Sequence, residues 1–258
     1  MLTDKALQES RCFGMKPVPL LRPLGWLARG WADLRRCPGP GLLQGLLLAV
    51  PGALLMLLAR HQFWWLAGAF SGFLLVAPVL ATGFYAVSRE LARGGHPTLM
   101  TVLRAWQPRD GRLIRFGLLL ALAGSGWVLC SAALITGFTH TPITTPEEFI
   151  RQVVLDDSSL LFEAWLALGA LLAAPLFAST VVTIPLLMDR RVSVLAAIYI
   201  SWRVVMEHPA AVALWAALLM GLTLLGMASL MLGLVVILPV LGHASWHAYC
   251  DLVSTDTE

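Results

Sequence analysis

Residues 209–249 read PAAVALWAALLMGLTLLGMASLMLGLVVILPVLGHASWHAY, 41 residues without one Asp, Glu, Lys or Arg. A helix of about 20 apolar residues crosses a hydrocarbon core about 30 Å thick, so this stretch is long enough for two crossings. Its natural turn lies in the small residues from Gly226 to Ser229. Helices joined by so short a connection are antiparallel neighbours. The stretch therefore predicts a transmembrane hairpin with spans at 209 to 226 and 229 to 249.

Upstream, the same design predicts two more hairpins. Their spans lie at 41 to 59 and 63 to 88, closed through Arg60, His61 and Gln62, and at 113 to 138 and 159 to 188, closed by a longer loop from Thr139 to Ser158. The whole chain of 258 residues is 58% hydrophobic and 13% charged, with a mean hydropathy of +0.78, a composition foreign to soluble domains. The expected fold is all-α, a polytopic membrane helix bundle of six transmembrane helices. The first apolar run begins only at Gly41, behind seven basic residues, so the first span is expected to act as an uncleaved signal.

Charge sets the orientation. Of the 18 Lys and Arg residues, 16 lie in the amino-terminal segment, between Arg89 and Arg115, or between Arg190 and Arg203, which leaves Arg60 and Arg151 opposite. The positive-inside rule then puts both termini in the cytoplasm. Trp64 and Trp65 fall at an outer aromatic belt. Cys12, Cys37, Cys130 and Cys250 show no CxxC or ligand-like spacing, and no disulfide framework is expected on the cytoplasmic side. In the outer loop, Thr145, Pro146 and Glu148 resemble a helix start, and Phe149 and Val153 then share a face, which predicts a short surface helix.

The segments between hairpins repeat. Leu20, Leu24, Leu27, Trp31 and Leu34 fall on one helical face, with Arg22, Arg29 and Arg36 elsewhere; Leu195, Ile198, Trp202 and Val205 repeat the pattern. The spacing from Trp31 to Pro38 equals that from Trp202 to Pro209, and each proline opens a span. A looser copy runs from Pro97 through Leu99, Leu103 and Trp106 to Pro108. The exits of the even-numbered spans also match: Ala77-Pro78-Val79-Leu80, Ile184-Pro185-Leu186-Leu187 and Leu238-Pro239-Val240-Leu241, with Glu90-Leu91 in register with Asp251-Leu252. The expectation is a cytoplasmic tail over 1–19, three repeats over about 20–91, 97–189 and 192–252 within a membrane domain at 20–253, and a tail at 254–258. Each repeat is a cytoplasmic in-plane amphipathic helix followed by a hairpin, with Trp31, Trp106 and Trp202 as interface anchors.

Arg29-Gly30-Trp31-Ala32-Asp33-Leu34, Leu187-Met188-Asp189-Arg190 with Ser201 downstream, and Pro239-Val240-Leu241-Gly242-His243-Ala244-Ser245-Trp246-His247-Ala248-Tyr249 resemble the bacterial membrane family catalogued as domain of unknown function 2189. The resemblance runs from about Leu20 to Val253. It implies a multi-span protein of the bacterial inner membrane without an established activity. Some relatives carry a cytochrome oxidase component label, which by analogy points to a respiratory or envelope accessory role.

Chemistry-bearing residues are few. His243 and His247 stand four apart, so their rings leave one helix face within reach of a single metal ion. Two axial haem ligands must approach from opposite faces, so a haem would need a further histidine such as His96 or His208. The pair also lies about 21 and 27 Å down from an outer start near Ser229, where with Trp246 and Tyr249 it makes an interfacial anchor. Glu163 is an intramembrane or interfacial acid, functional by default inside a membrane and unremarkable if it reaches the outer surface. Arg190, Arg191 and Arg203 suit a ligand or lipid headgroup, or a charge cluster with Asp189 and Glu207. Pro78, Pro185 and Pro239 kink the even spans and either line a site or are satisfied by neighbours. Gly68 and Gly72 form a GxxxG packing motif.

No HExxH, Walker loop, GxSxG elbow or kinase set is present, and Gly124-Ser125-Gly126 with His243 lacks the partners of an intramembrane protease. No enzymatic activity, cofactor or nucleic-acid partner is expected. The expected role is a scaffold or accessory factor in contact with the lipid bilayer and a membrane-protein partner. The alternatives are a small-solute transporter or lipid-handling protein with a site between the kinked spans, and a metal- or haem-associated redox subunit using His243 and His247.

Overall fold

Proline opens two of the long helices, and Thr98 and Ser193 stand at the starts of two short ones, so the chain divides where its sequence is punctuated. The computed structural model describes residues 2–58, 63–107, 111–139, 143, 145–156 and 160–254. In chain order its elements are α1 (Leu2–Arg11), β1 (Gly14–Met15), α2 (Arg22–Arg36), α3 (Pro38–Leu58), α4 (Phe63–Ala92), α5 (Leu99–Trp106) and α6 (Arg112–Phe138). There follow α7 (Pro146–Phe149), running into a π-helical turn at Ile150–Val154, then α8 (Leu161–Thr180), α9 (Thr183–Asp189), α10 (Val194–Glu207), α11 (Pro209–Ala228), α12 (Leu234–Leu252) and β2 (Val253–Ser254). Arg60, His61, Gln62, Pro108 and Ser158 lie outside the described residues, as do the side chains of Trp64, Trp65, Gly68 and Gly72.

Among the described residues four stretches are long and apolar enough to cross a membrane: Pro38–Leu55, Arg112–Phe138, Leu161–Asp189 and Pro209–Ala228. Two further long helices, α4 and α12, pack among them, and α12 carries His243, Ser245, His247 and Asp251 within its apolar run.

The expected unbroken span at 159 to 188 is instead two helices, α8 and α9. Pro185 has no N–H for the carbonyl of Val181. Ser201 of α10 completes the break: its hydroxyl donates to Ala178 O at 2.6 Å and accepts from Val182 N–H at 3.4 Å, standing between two groups that a continuous helix would join. Thr183 Oγ1 adds bonds to Ser179 O and Ala197 O. Ser201→Ala is expected to strand both backbone groups at a cost of about 1–3 kcal/mol, read as a fall of several degrees in the melting temperature of purified protein.

Each short helix lies on a long one. α5 lies against α4, α10 against α8 and α9, and α2 against α12. The inward faces differ from the expected apolar stripes. In α2 the buried residues include Trp26, Gly30, Asp33 and Leu34, while Leu20, Leu24 and Trp31 stay exposed; in α10 Ala197, Ile200, Ser201 and Val204 are buried, with Leu195 and Trp202 exposed. Each stripe is thus split, with Leu34, Leu27, Ile198 and Val205 against the core, and the residue just before each tryptophan, Gly30 or Ser201, touches the bundle.

The amino-terminal residues are not a tail. α1 packs on α10, the Glu9 carboxylate accepts the Ser193 N–H at 3.1 Å, and Arg203 donates to the carbonyls of Ser10 and Phe13. β1 then pairs antiparallel with β2, setting Gly14 opposite Ser254 and Met15 opposite Val253. Nothing in hydropathy signals such a pairing, because two-residue strands carry no period.

In the connection between α6 and α8, Thr145 and Glu148 form a reciprocal capping box, each side chain taking the other's backbone N–H at 3.2 Å. Val153 is buried, with Ile135 and Leu161 beside it.

Candidate functional site

Small residues bring α2, α4 and α12 close enough for buried polar groups to meet. A Cβ on Gly30 would stand 2.5 Å from Val240 O and 2.8 Å from Ala244 N, so only glycine lets α2 touch the backbone of α12. Gly242 makes the same allowance for Phe84 of α4. Pro239 leaves Val235 O without its helical donor, and that carbonyl points at Gly45 of α3, where a side chain has no room.

A hydrogen-bonded chain runs through this junction. His247 Nε2 lies 2.8 Å from Asp33 Oδ2, the Ser88 hydroxyl stands close enough to the Asp33 carboxylate to favour its charged form, and Ser88 Oγ lies 2.8 Å from His243 Nδ1. A hydroxyl has one proton to give. With that proton on Asp33, Ser88 accepts from His243 Nδ1–H, and His243 Nε2 becomes an acceptor. That atom is buried beside Gly41 with no partner among the described residues. Burial alone pushes the Asp33 carboxyl up, but bonds from His247 and Ser88 and the nearness of both imidazoles outweigh it and hold the group below the usual carboxylate range.

A second acid ties α2 to α12. Asp251 accepts from Arg22 at 2.6 Å, from Trp26 Nε1 at 2.9 Å and from Arg29. Its burial is likewise overcome by these donors, which keep its carboxyl low. At the exit of α9, Asp189 accepts from Tyr249 OH at 3.0 Å and pairs with Arg89 and Arg190. At the exit of α4, Glu90 accepts from Thr101 of α5 at 2.7 Å. The carboxyl ends of α4, α9 and α12 therefore each carry an acid that fastens them to another helix.

Between α4, α5, α6 and α9 lies a recess of about 1010 Å³, lined by Arg89, Arg93, Arg104, Arg112, Arg190 and Arg191, with Glu90 and Asp189 as the acids among the described residues. Arg112 spans its edge, donating to the carbonyls of Leu187, Arg190 and Val192 at 2.8 to 3.2 Å, where it closes the carboxyl end of α9.

The structure separates the expected site residues. His243 and His247 engage Ser88 and Asp33 respectively, and among the described residues no three His, Cys, Asp or Glu side chains converge as metal ligands. Arg190 and Arg191 line the recess, whereas Arg203 holds α1 and pairs with Glu207. Glu163 sits exposed in the first turn of α8. Pro78, Pro185 and Pro239 are all buried. Trp31 is 46% and Trp202 41% exposed; Trp202 Nε1 bonds Ser179 Oγ, and Trp106 Nε1 bonds Leu80 O.

Residues outside the expected set matter as much. Asp33 stands in the quoted amino-terminal motif and Asp251 in the repeat register, but their partners are over 200 positions away in sequence. Ser88 and the arginines of α4, α5 and α6 gave no local signal beyond topology.

No curated protein and no solved structure matches the chain. Residues 65–189, from α4 to the end of α9, match the family model described as "Predicted integral membrane protein (DUF2189)".

Proposed function

We propose that the chain is a six-span protein of the bacterial inner membrane, with α3, α4, α6, α8 with α9, α11 and α12 as three hairpins and both termini cytoplasmic. In this arrangement it is a non-enzymatic scaffold that presents a preassembled cytoplasmic layer to another membrane complex. The positive-inside distribution of Lys and Arg supports the orientation. The observation that carries the scaffold is the fastening of the short helices. α5 is fixed to α4, α10 to α8 and α9, and α2 to α12, each through side-chain bonds to the bundle.

Fastened helices lose little entropy on binding, which favours a docking surface. Their exposed apolar residues, Leu24 and Trp31 on α2 with Leu20 just before it, and Leu195 and Trp202 on α10, sit where lipid headgroups or a partner meet them. The test is affinity purification from native membranes in mild detergent. A partner is expected to co-purify at fixed stoichiometry and to be lost when Leu24 and Trp31 are both changed to Asp, with the melting temperature retained. Protein that emerges solitary and monodisperse from every mild detergent contradicts the scaffold.

A further inference from the structure

We propose that the arginine-lined recess between α4, α5, α6 and α9 binds a phosphate-bearing anion, with an anionic lipid headgroup as the source that fits it best. Arginines at the ends of spans have an ordinary explanation, the retention of positive charge on the cytoplasmic side. That explanation requires no convergence. Here six guanidinium groups from α4, the turn after it, α5, α6 and the segment after α9 border one concavity.

The acids in the recess do not neutralise it. Glu90 accepts the Thr101 hydroxyl, and Asp189 is shared by Tyr249, Arg89 and Arg190. Arg93, Arg104 and Arg191 are exposed and make no ion pair among the described residues. Planar guanidinium donors match phosphate oxygens in pairs. The first turn of α6, at Arg112 to Ile114, and Ser193 at the start of α10 border the same space, and helix amino ends favour anions.

The apolar part of the lining favours a lipid over a free phosphate compound. Val79, Leu113, Ile114 and Trp106 share the lining with the arginines, and Ile114 is exposed, as are Leu99, Met100 and Leu103 of α5. A charged rim over an apolar wall suits a headgroup whose acyl chains run on along α4 and α6. A soluble phosphate compound would use the rim alone.

The test uses the full chain in mild detergent with fluorescently labelled phosphatidylglycerol as probe. Arg93, Arg104 and Arg191 are changed together to Gln; a control changes Arg11, Arg35 and Arg36, which are equally exposed and carry the same charge elsewhere on the cytoplasmic side. The recess variant is expected to weaken binding by about 10- to 100-fold, while the control changes it little. Arg104→Gln alone gives the same answer at smaller size should the triple variant lose its wild-type melting temperature. Unlabelled phosphatidylglycerol should displace the probe and phosphatidylcholine should not.

Displacement by inorganic pyrophosphate, without displacement by phosphatidylglycerol of natural chain length, upholds the phosphate chemistry and transfers it to a soluble ligand. Equal loss in both triple variants, no loss in either, or equal displacement by phosphatidylcholine overturns the proposal.

Discussion

Gly30→Val is expected to lower the melting temperature of the purified protein by about 10 °C or more and to broaden its size-exclusion profile. The added Cβ would meet Val240 O at 2.5 Å and Ala244 N at 2.8 Å, both backbone atoms of α12. Rotation of a flexible side chain cannot relieve such a clash, so α2 must move away from α12. Overpacking by itself costs about 1–3 kcal/mol. Moving α2 also separates Asp33 from His247 and the Arg22, Trp26 and Arg29 donors from Asp251. Removing one partner from such a buried charge pair costs about 3–5 kcal/mol, and each kcal/mol lowers the midpoint by about 2–4 °C in a chain of this size. Gly126→Val is the control, because nothing lies within 4 Å of a Cβ there. Similar melting of the two variants would show that α2 does not approach α12 this closely.

That junction also shows what the sequence makes legible. Long apolar runs identify helices because the bilayer imposes a length, and the stretches at Pro38–Leu55, Arg112–Phe138 and Pro209–Ala228 are found close to their expected positions. Proline patterns mark where backbone carbonyls lose their donors, but not which group answers them. At Pro185 the helix breaks, with Ser201 bonded to Ala178 O and Val182 N–H beside the break, and at Pro239 the freed Val235 carbonyl lies against Gly45 of α3. Both answers come from other helices, which one-dimensional periodicity cannot see.

The same limit applies to faces. Leu24, Leu27, Trp31 and Leu34 form the stronger apolar stripe of α2 by sequence, yet Leu24 and Trp31 are exposed while Trp26, Gly30 and Asp33 join Leu34 against the protein. In water the stronger stripe would turn inward. Beside lipid the outward face is apolar too, while close packing and hydrogen bonding select the inner one. The histidine pair illustrates the consequence: i, i+4 spacing puts both rings on one face, whereas Asp33 and Ser88, supplied by two other helices, determine what each ring nitrogen meets.

Asp33→Ala is accordingly expected to destabilise the protein by about 3–5 kcal/mol, because the His247 ring nitrogen and the Ser88 hydroxyl then face a void where the carboxylate stood. Asp33→Asn keeps one acceptor oxygen and is expected to cost about 1–3 kcal/mol. The order Ala worse than Asn separates a bonding role from a simple loss of volume, since the alanine void is small and water cannot satisfy both partners inside the helix junction. Acidity provides an independent measurement. The Asp33 carboxyl is held below its ordinary value, so its contribution is complete above the unfolded value near 3.9 and is lost as pH falls through the lower folded value. Asp251 is shifted in the same direction, so wild type and Asp33→Asn should both lose stability in acid, and the difference between their melting temperatures should narrow below about pH 4. If that difference stays constant from neutral pH down to strong acid, the carboxylate is not what joins α2 to α4 and α12, and the hydrogen-bonded chain from His247 to His243 does not hold the junction together.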